Sequence, residues 1–378
     1  MTKFSLLRKA EIVLEWDVLL QFLSKHASSE IGKSLCQKLH LAQHLDEAEQ
    51  GLGETSEMLE LQRTQASFTI DPFPDLRPML TRIQKGGMLE ASEFRQISVV
   101  LGQVMRIKAN LKEAQEFIPL LYRKAGVLND HQQIKGLIDH CVDNEGNIRS
   151  SATLDLKNFS FMLQASRERI RKRIDVMLSK SAILECLQEK YFDLRANRYV
   201  LPVKTEYKGR IPGIVHDVST SGATIFIEPR ELVELNNQMK VSELEVEREI
   251  RKILHDLAEK IFPHTTAIVA SLLCLAELDC IAAKATVSHL LDANTVTLNT
   301  QGDIQLNQAR HPLLVLSRLS DRVAGSHAEG TTKDSEVIAN DIHITREVRG
   351  LVISGPNAGG KTVTLKLLGL FSLMVRAG

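Results

Sequence analysis

Two apolar series with a spacing of seven constrain this chain most. Leu156, Leu163, Ile170, Met177 and Leu184 form the first, and Leu232, Met239, Val246 and Ile253 the second. An apolar residue at every seventh place draws a single stripe down a helix, and such a stripe needs a second helix to cover it. About forty residues of different character separate the two series, which suits an antiparallel coiled-coil arm over 151–254. With helices of about 35 residues, the arm would reach roughly 50 Å at 1.5 Å per residue.

The stretch between the series, RANRYVLPVKTEYKGRIPGIVHDVSTSGATIFIEP (195–229), is β in character. Tyr199, Leu201 and Val203 alternate with other residues, and the runs GIVHDVS and ATIFIEP are joined by a Ser-Thr-Ser-Gly turn signal. A small β-module at the tip of the arm follows from this pattern.

The remainder divides by periodicity. Residues 1–150 show helix after helix, interrupted by the prolines of SFTIDPFPDLRPML and the KGG turn at 85–87. Residues 255–292 return to helix, with an Ala/Leu/Cys-rich stretch from 264 that reads as buried. Aromatics make up only 4% of the chain and Trp16 is its single tryptophan, so its cores must be aliphatic, which favours helices. From 293 to 378 the period changes. TVTLNT, DIQLNQARHPLL, EVIANDIHIT and GLVISG read as strands, with a polar loop over 318–336. The expected fold class is therefore multi-domain and mainly α. It has a helical core (1–150 and 255–292), an inserted arm with a β-module, and a following α/β segment (293–378).

That last segment holds the motif with chemical content. Gly355-Pro356-Asn357-Ala358-Gly359-Gly360-Lys361-Thr362 fits G-x-x-x-x-G-K-[ST], between an apolar run and a helical run. Glycines let successive backbone N–H groups converge on phosphate oxygens, and the helix that starts at Lys361 turns its positive end to the same anion. In this reading Lys361 reaches the β- and γ-phosphates of ATP and Thr362 ligates Mg²⁺. Hydrolysis also needs a carboxylate strand for the metal and a residue that orients water. Only sixteen residues follow Thr362, so the expectation is the front part of a longer protein, inactive alone as an ATPase. Leu367, Leu370, Phe371 and Met374 would then lack part of the sheet they should cover.

Composition narrows the partners. Lys+Arg and Asp+Glu are both 47, so any nucleic-acid contact rests on local patches. Arg195, Arg198, Lys204, Lys208 and Arg210 form one such patch in the β-module, suited to phosphate neutralisation without base readout or to a merely solvated surface. The basic run SRERIRKRID (166–175) is better explained by interhelical ion pairs, with Arg171 expected opposite Asp256 and Glu259. His311 reads as structural, and the neighbours His216, Asp217 and Ser219 do not make a triad by adjacency. The five cysteines have no C-x-x-C spacing, which argues against zinc and a disulfide framework. No signal segment or membrane-length apolar run stands out, so a cytoplasmic protein without membrane contact is expected.

Together these residues resemble the MutS family of ATPases, in the ABC-type superclass. GPNAGGKT has that family's Asn after Pro and doubled Gly before Lys. ARHPLL (309–314) is similar to the Arg-His-Pro at the entrance of its ATPase domain, and VIANDIHI (337–344) to the stretch that flanks adenine. The start on a helical core and the segment 198–229 resemble the second bacterial subgroup, which lacks the mismatch-recognition domain. The resemblance implies that Ile338 packs against the base and Asn340 hydrogen-bonds beside it. Val337 stands where many relatives carry an aromatic. It further implies a homodimer with ATP and Mg²⁺ sites completed across the dimer, acting on branched DNA to suppress recombination, or on stalled ribosomes and their rRNA. Many such proteins end in a small Smr nuclease domain, for which this sequence shows no counterpart. A chromosome-organising coiled-coil ATPase is the alternative, but there the P-loop precedes the coil. A small-molecule kinase would have no use for a long arm.

Overall fold

The structure is a computed structural model that describes residues 3–64, 68–323, 337–348, 350–354 and 360–378. In chain order it contains α1 (Lys3–Val13), α2 (Trp16–Ser24), α3 (Glu30–Gln37), α4 (Leu45–Thr64), α5 (Arg77–Gln84), α6 (Ala91–Glu113), α7 (Pro119–Lys124), α8 (Gln132–Cys141), α9 (Leu154–Leu178) and α10 (Ser181–Leu184). Then come β1 (Asp193–Arg195), β2 (Arg198–Lys204), β3 (Gly213–Val218), β4 (Thr224–Pro229), α11 (Arg230–Ile261), α12 (Thr265–Leu290), β5 (Ile304–Ala309), α13 (Pro312–Val323), β6 (Asn340–Ile344) and α14 (Lys361–Ala377). The fold is mainly helical, with two small antiparallel sheets. It divides into two units: Met1–Leu80, Val99–Gln132 and His264–Gly378 form one, and Thr81–Ser98 with Gln133–Pro263 form the other.

In the second unit, α9 and α11 run antiparallel. Thr153 meets Glu249, Arg167 meets Glu243, and Arg173 pairs with Glu231. The stripe residues Leu156, Ile170, Met177, Leu232, Met239 and Ile253 are buried, as their spacing requires. Thr153 caps α9, accepting from the Leu156 N–H at 3.1 Å while donating to Glu249 Oε1 at 3.0 Å. The register corrects one expectation: Arg171 lies level with the first turns of α11, not with Asp256 or Glu259. The first helix is also shorter than expected. It ends at Leu178, Lys180 adopts extended backbone, and Leu184 falls in the one-turn α10. The cause is the neighbouring sheet. The Gln188 N–H donates to Pro202 O and the Lys204 N–H to Cys186 O, both at 2.9 Å, so this segment joins the strands instead of extending the helix.

The sheet of the second unit has the order β1-β2-β4-β3, antiparallel throughout. Its apolar face buries Leu201, Val203, Ile225 and Ile227 against Ile170 and Met177 of α9. A bulge between Val215 and Asp217 in β3 takes His216 out of the regular ladder.

The first unit is organised on α12, where Leu272, Leu275, Ala276, Leu278, Ala283 and Ala285 are fully buried. One window within Arg230–Leu290 is long and apolar enough by composition to cross a membrane, with mean hydropathy 1.9. Its burial marks it as a core helix. Three further expectations need correction. Residues 295–300 form no strand: the side-chain oxygen of Asn299 accepts from the N–H groups of Gln301, Gly302 and Asp303, which folds the segment into a turn. The strand read through 314 stops at Ala309, and Pro312 opens the helix α13. Leu313, Leu316 and Leu319, three apart, all turn toward Trp16 and Leu370, so a helical stripe runs past the expected strand, and 318–323, expected to open the polar loop, belong to α13. Residues 351–354 pair with no described strand, and Val352 is 90% exposed.

The helix α14 lies between two layers. Leu367 packs on Ala309 and Ile342 of the β5–β6 sheet, while Leu370 and Leu373 pack on Trp16, Leu19 and Leu20 of α2. The apolar face expected to be short of cover is covered: Leu367 and Leu370 are fully buried, and Phe371 and Met374 half-buried.

Candidate functional site

Of the eight motif residues, Gly355, Pro356, Asn357, Ala358 and Gly359 lie outside the described residues. The remaining three begin α14. Gly360 is its N-cap, with φ 77° and ψ 8°, a left-handed conformation that favours glycine. A Cβ built on it would meet no atom of the described residues within 4 Å. Its backbone conformation calls for glycine. The Gly360 carbonyl accepts from the Thr364 N–H at 3.0 Å and from the Thr364 hydroxyl at 3.2 Å, which closes the first turn. Lys361 is half-buried and Thr362 exposed at the start of this 17-residue helix. The helix N-terminus concentrates partial positive charge and unsatisfied N–H groups, suited to an anion.

Ile338, 84% exposed, precedes β6, and Asn340 starts that strand opposite Ala309. The structure thus puts α14 and β6 in one small layered body through Leu367 and Ile342. Ile338 presents an uncovered apolar surface beside it in sequence.

α14 is also tied to the helical core by charge. Lys366 donates to Glu15 Oε2 at 2.7 Å, which holds the Glu15 carboxyl below its ordinary range. Glu15 occupies the α1–α2 junction with φ 57°, a left-handed conformation uncommon for glutamate. His311 is buried just before α13. Burial pushes its imidazole down, against the opposing influence of Glu15, and its Nδ1 has no hydrogen-bond partner among the described residues.

The basic residues of the β-module have different surroundings. Arg198 directs Nη1 to Glu228 Oε1 at 2.7 Å and Nη2 to Asn237 Oδ1 at 2.8 Å, so its charge is engaged internally. Arg195 pairs with Asp193 at 2.9 Å and stacks over Phe226, 4.2 Å from the ring centroid. Lys204 and Arg210 flank Tyr207, at 5.9 and 5.0 Å from its ring centroid, and Lys208 is exposed between them in sequence. The five therefore separate into a structural pair and a three-residue cluster on the loop at 204–210.

Sequence reading missed the centre of this module. Glu228 is fully buried and also accepts from Asn236 Nδ2 at 2.8 Å, while His216 Nε2 lies 2.5 Å from its other oxygen. Burial would raise the carboxyl, but the contacts with Asn236, His216 and Arg198 outweigh it and hold Glu228 below the usual carboxylate range. A signal was present: Asn236 is a polar residue between Leu232 and Met239 on the buried stripe, and Glu228 closes an otherwise apolar strand. Among the described residues no cluster of His, Cys, Asp or Glu is suited to hold a metal.

No family model matches the chain. Curated sequences do. It is 34% identical over 369 residues to the endonuclease MutS2 of Geobacillus sp. (strain WCH70), a match covering 97% of this chain and 45% of that protein. It is 34% identical over 374 residues to the putative endonuclease MutS2 of Bacillus subtilis (strain 168), covering 98% and 45%. Along nearly its whole length this chain is homologous to proteins named MutS2, consistent with an N-terminal MutS2-like segment. The MutS2 of Shouchella clausii adds 33% identity over 376 residues. The chain spans about half the length of the curated MutS2 relatives it matches.

Proposed function

We propose that this chain forms the nucleic-acid-gripping and nucleotide-sensing part of an ATP-dependent MutS2-type protein. In this reading 293–378 opens an ABC-type ATPase domain, 151–254 is a lever with a clamp module at 195–229, and 1–150 with 255–292 form the helical core. The observation that carries it is the start of α14: a left-handed Gly360 followed by Lys361 and Thr362 in the first helical turn. These residues suit a nucleoside triphosphate with Mg²⁺. The helix end and Lys361 receive phosphate oxygens, Thr362 offers a hydroxyl to the cation, and Ile338 and Asn340 border the base. When bound, the cation would neutralise charge on the phosphates.

The chain's own residues supply the coupling. A small displacement of α14 acts on α2 through Leu370 and Leu373 against Trp16, and on the α1–α2 junction through Lys366 and Glu15. Such a packed pair has discrete arrangements, and a ligand shifts their populations by its differential affinity. Nucleotide binding and homodimerisation thereby close the arms on branched DNA or on rRNA of a stalled ribosome. Lys204, Lys208 and Arg210 are the residues for phosphate contact, since Arg198 is held by Glu228. In the relatives' nucleolytic reaction the present chain would serve as the ATP-driven grip.

The test is a binding assay with the longer native protein, on a four-way DNA junction and on ribosomes, with and without Mg²⁺–ATP. The reading predicts nucleotide-dependent binding that Lys361→Ala removes, and that Lys208→Glu with Arg210→Glu weakens with a shallower salt dependence. Binding to both substrates that is indifferent to ATP and to Lys361 would refute it.

A further inference from the structure

A second feature lies in the helical core, remote in sequence from the P-loop motif. Cys36 on α3 and Cys280 on α12 are separated by 244 residues in sequence, yet their sulfur atoms stand 3.2 Å apart. Both are buried free thiols. The approach is built by specific packing. Gly32, one helical turn before Cys36 on the same face, has no side chain where α12 arrives: a Cβ there would stand 2.2 Å from Asp279 Oδ2. Asp279, next to Cys280, fixes the contact by accepting from the Ser28 and Ser29 N–H groups at 2.9 Å and from the Ser29 hydroxyl at 2.7 Å. The N-terminal end of α3 is thus fastened to α12 one turn from the two sulfurs.

Their electrostatics differ. Cys36 Sγ donates to Cys280 Sγ, which favours thiolate on Cys280 and thiol on Cys36. The ammonium of Lys284, one turn further along α12, acts in the same direction on Cys280. One sulfur is prepared as nucleophile and the other as resolving thiol.

We propose that Cys36 and Cys280 are a two-electron modification site, a dithiol that hydrogen peroxide converts to a disulfide joining α3 to α12. Deprotonated Cys280 attacks a peroxide oxygen: the S–O bond forms, the O–O bond breaks, and the departing hydroxide takes up a proton as water. Cys36 then attacks the Cys280 sulfur: the S–S bond forms, the S–O bond breaks, and hydroxide leaves with the Cys36 proton as a second water. Two thiols are oxidised by two electrons and one peroxide is reduced to two waters. Because both sulfurs are enclosed, oxidation proceeds through local opening of α3 and is slow.

The test uses the reduced 378-residue chain under native conditions. It is exposed to hydrogen peroxide, blocked with iodoacetamide in denaturant, digested, and mapped without reduction. The proposal predicts one cross-linked peptide pair carrying Cys36 and Cys280, loss of two of the five alkylatable thiols, and full reversal by dithiothreitol. In Cys36→Ser, the same treatment should leave a dimedone-reactive sulfenic acid on Cys280. Oxidation confined to Cys141, Cys186 or Cys274, a cross-link formed only in denaturant, or one joining two chains would overturn it.

Discussion

Replacing Glu228 with alanine should loosen the β-module selectively, and the size of the effect follows from its contacts. The carboxylate is fully enclosed and accepts from Arg198 and Asn236 while lying against His216. Breaking a buried charge pair by removing one partner costs about 3–5 kcal/mol. The Arg198 side chain is 29% exposed and can recover water, which places the expected cost near the lower end, about 3 kcal/mol. At 1.4 kcal/mol per tenfold, that is roughly a hundredfold in the opening equilibrium. Glu228→Gln keeps an acceptor for Asn236 and loses only the charge-assisted part, about 1–2 kcal/mol. The assay is hydrogen–deuterium exchange with mass spectrometry on peptides covering β2 and β4. Exchange there should accelerate about a hundredfold in Glu228→Ala and far less in Glu228→Gln. Exchange within twofold of wild type in the alanine variant, or equal losses in both, would refute the view that this carboxylate organises the module.

The same network has a pH signature. The folded carboxyl of Glu228 is depressed, so its stabilisation is fully present above the unfolded value, near 4.3, and is lost as pH falls through the folded value. Protection of β2 and β4, corrected for intrinsic rates, should be level from pH 7 to about 5 and decline below about 4. In the first unit, Gly32→Ala places a methyl against the buried Asp279 carboxylate and should cost about 2–3 kcal/mol through overpacking and lost hydrogen bonds. A lower urea midpoint of Trp16 fluorescence measures it, and an unchanged midpoint would show that α3 shifts freely.

What the sequence disclosed depended on the range of the interaction responsible. The stripes from Leu156 and Leu232 are repetitive and local, so the paired helices were legible, as was the hairpin of β3 and β4. The end of α9 was not, because Leu178 is followed by residues whose hydrogen bonds go to β2. A periodicity within 181–187 carries no record of that partner. α13 was misread because a short apolar run opened by proline fits either period. What decides it is Leu316 facing Trp16 and Leu370, residues hundreds of positions away or in another element. At the candidate site, Lys361 and Thr362 were legible as residue types in a fixed order. The internal engagement of Arg198 was not, since only folding brings Glu228 and Asn237 to it.

Phosphate at the start of α14 is what the functional account stands on, and the amide groups there can report it directly. Mg²⁺–ATP is titrated into isotopically labelled chain while the backbone resonances of Gly360–Thr364 are followed by NMR. The account predicts shifts concentrated in that first turn and eliminated by Lys361→Ala, with α14 still helical. Shifts that appear elsewhere, or that persist unchanged without the lysine, would contradict it.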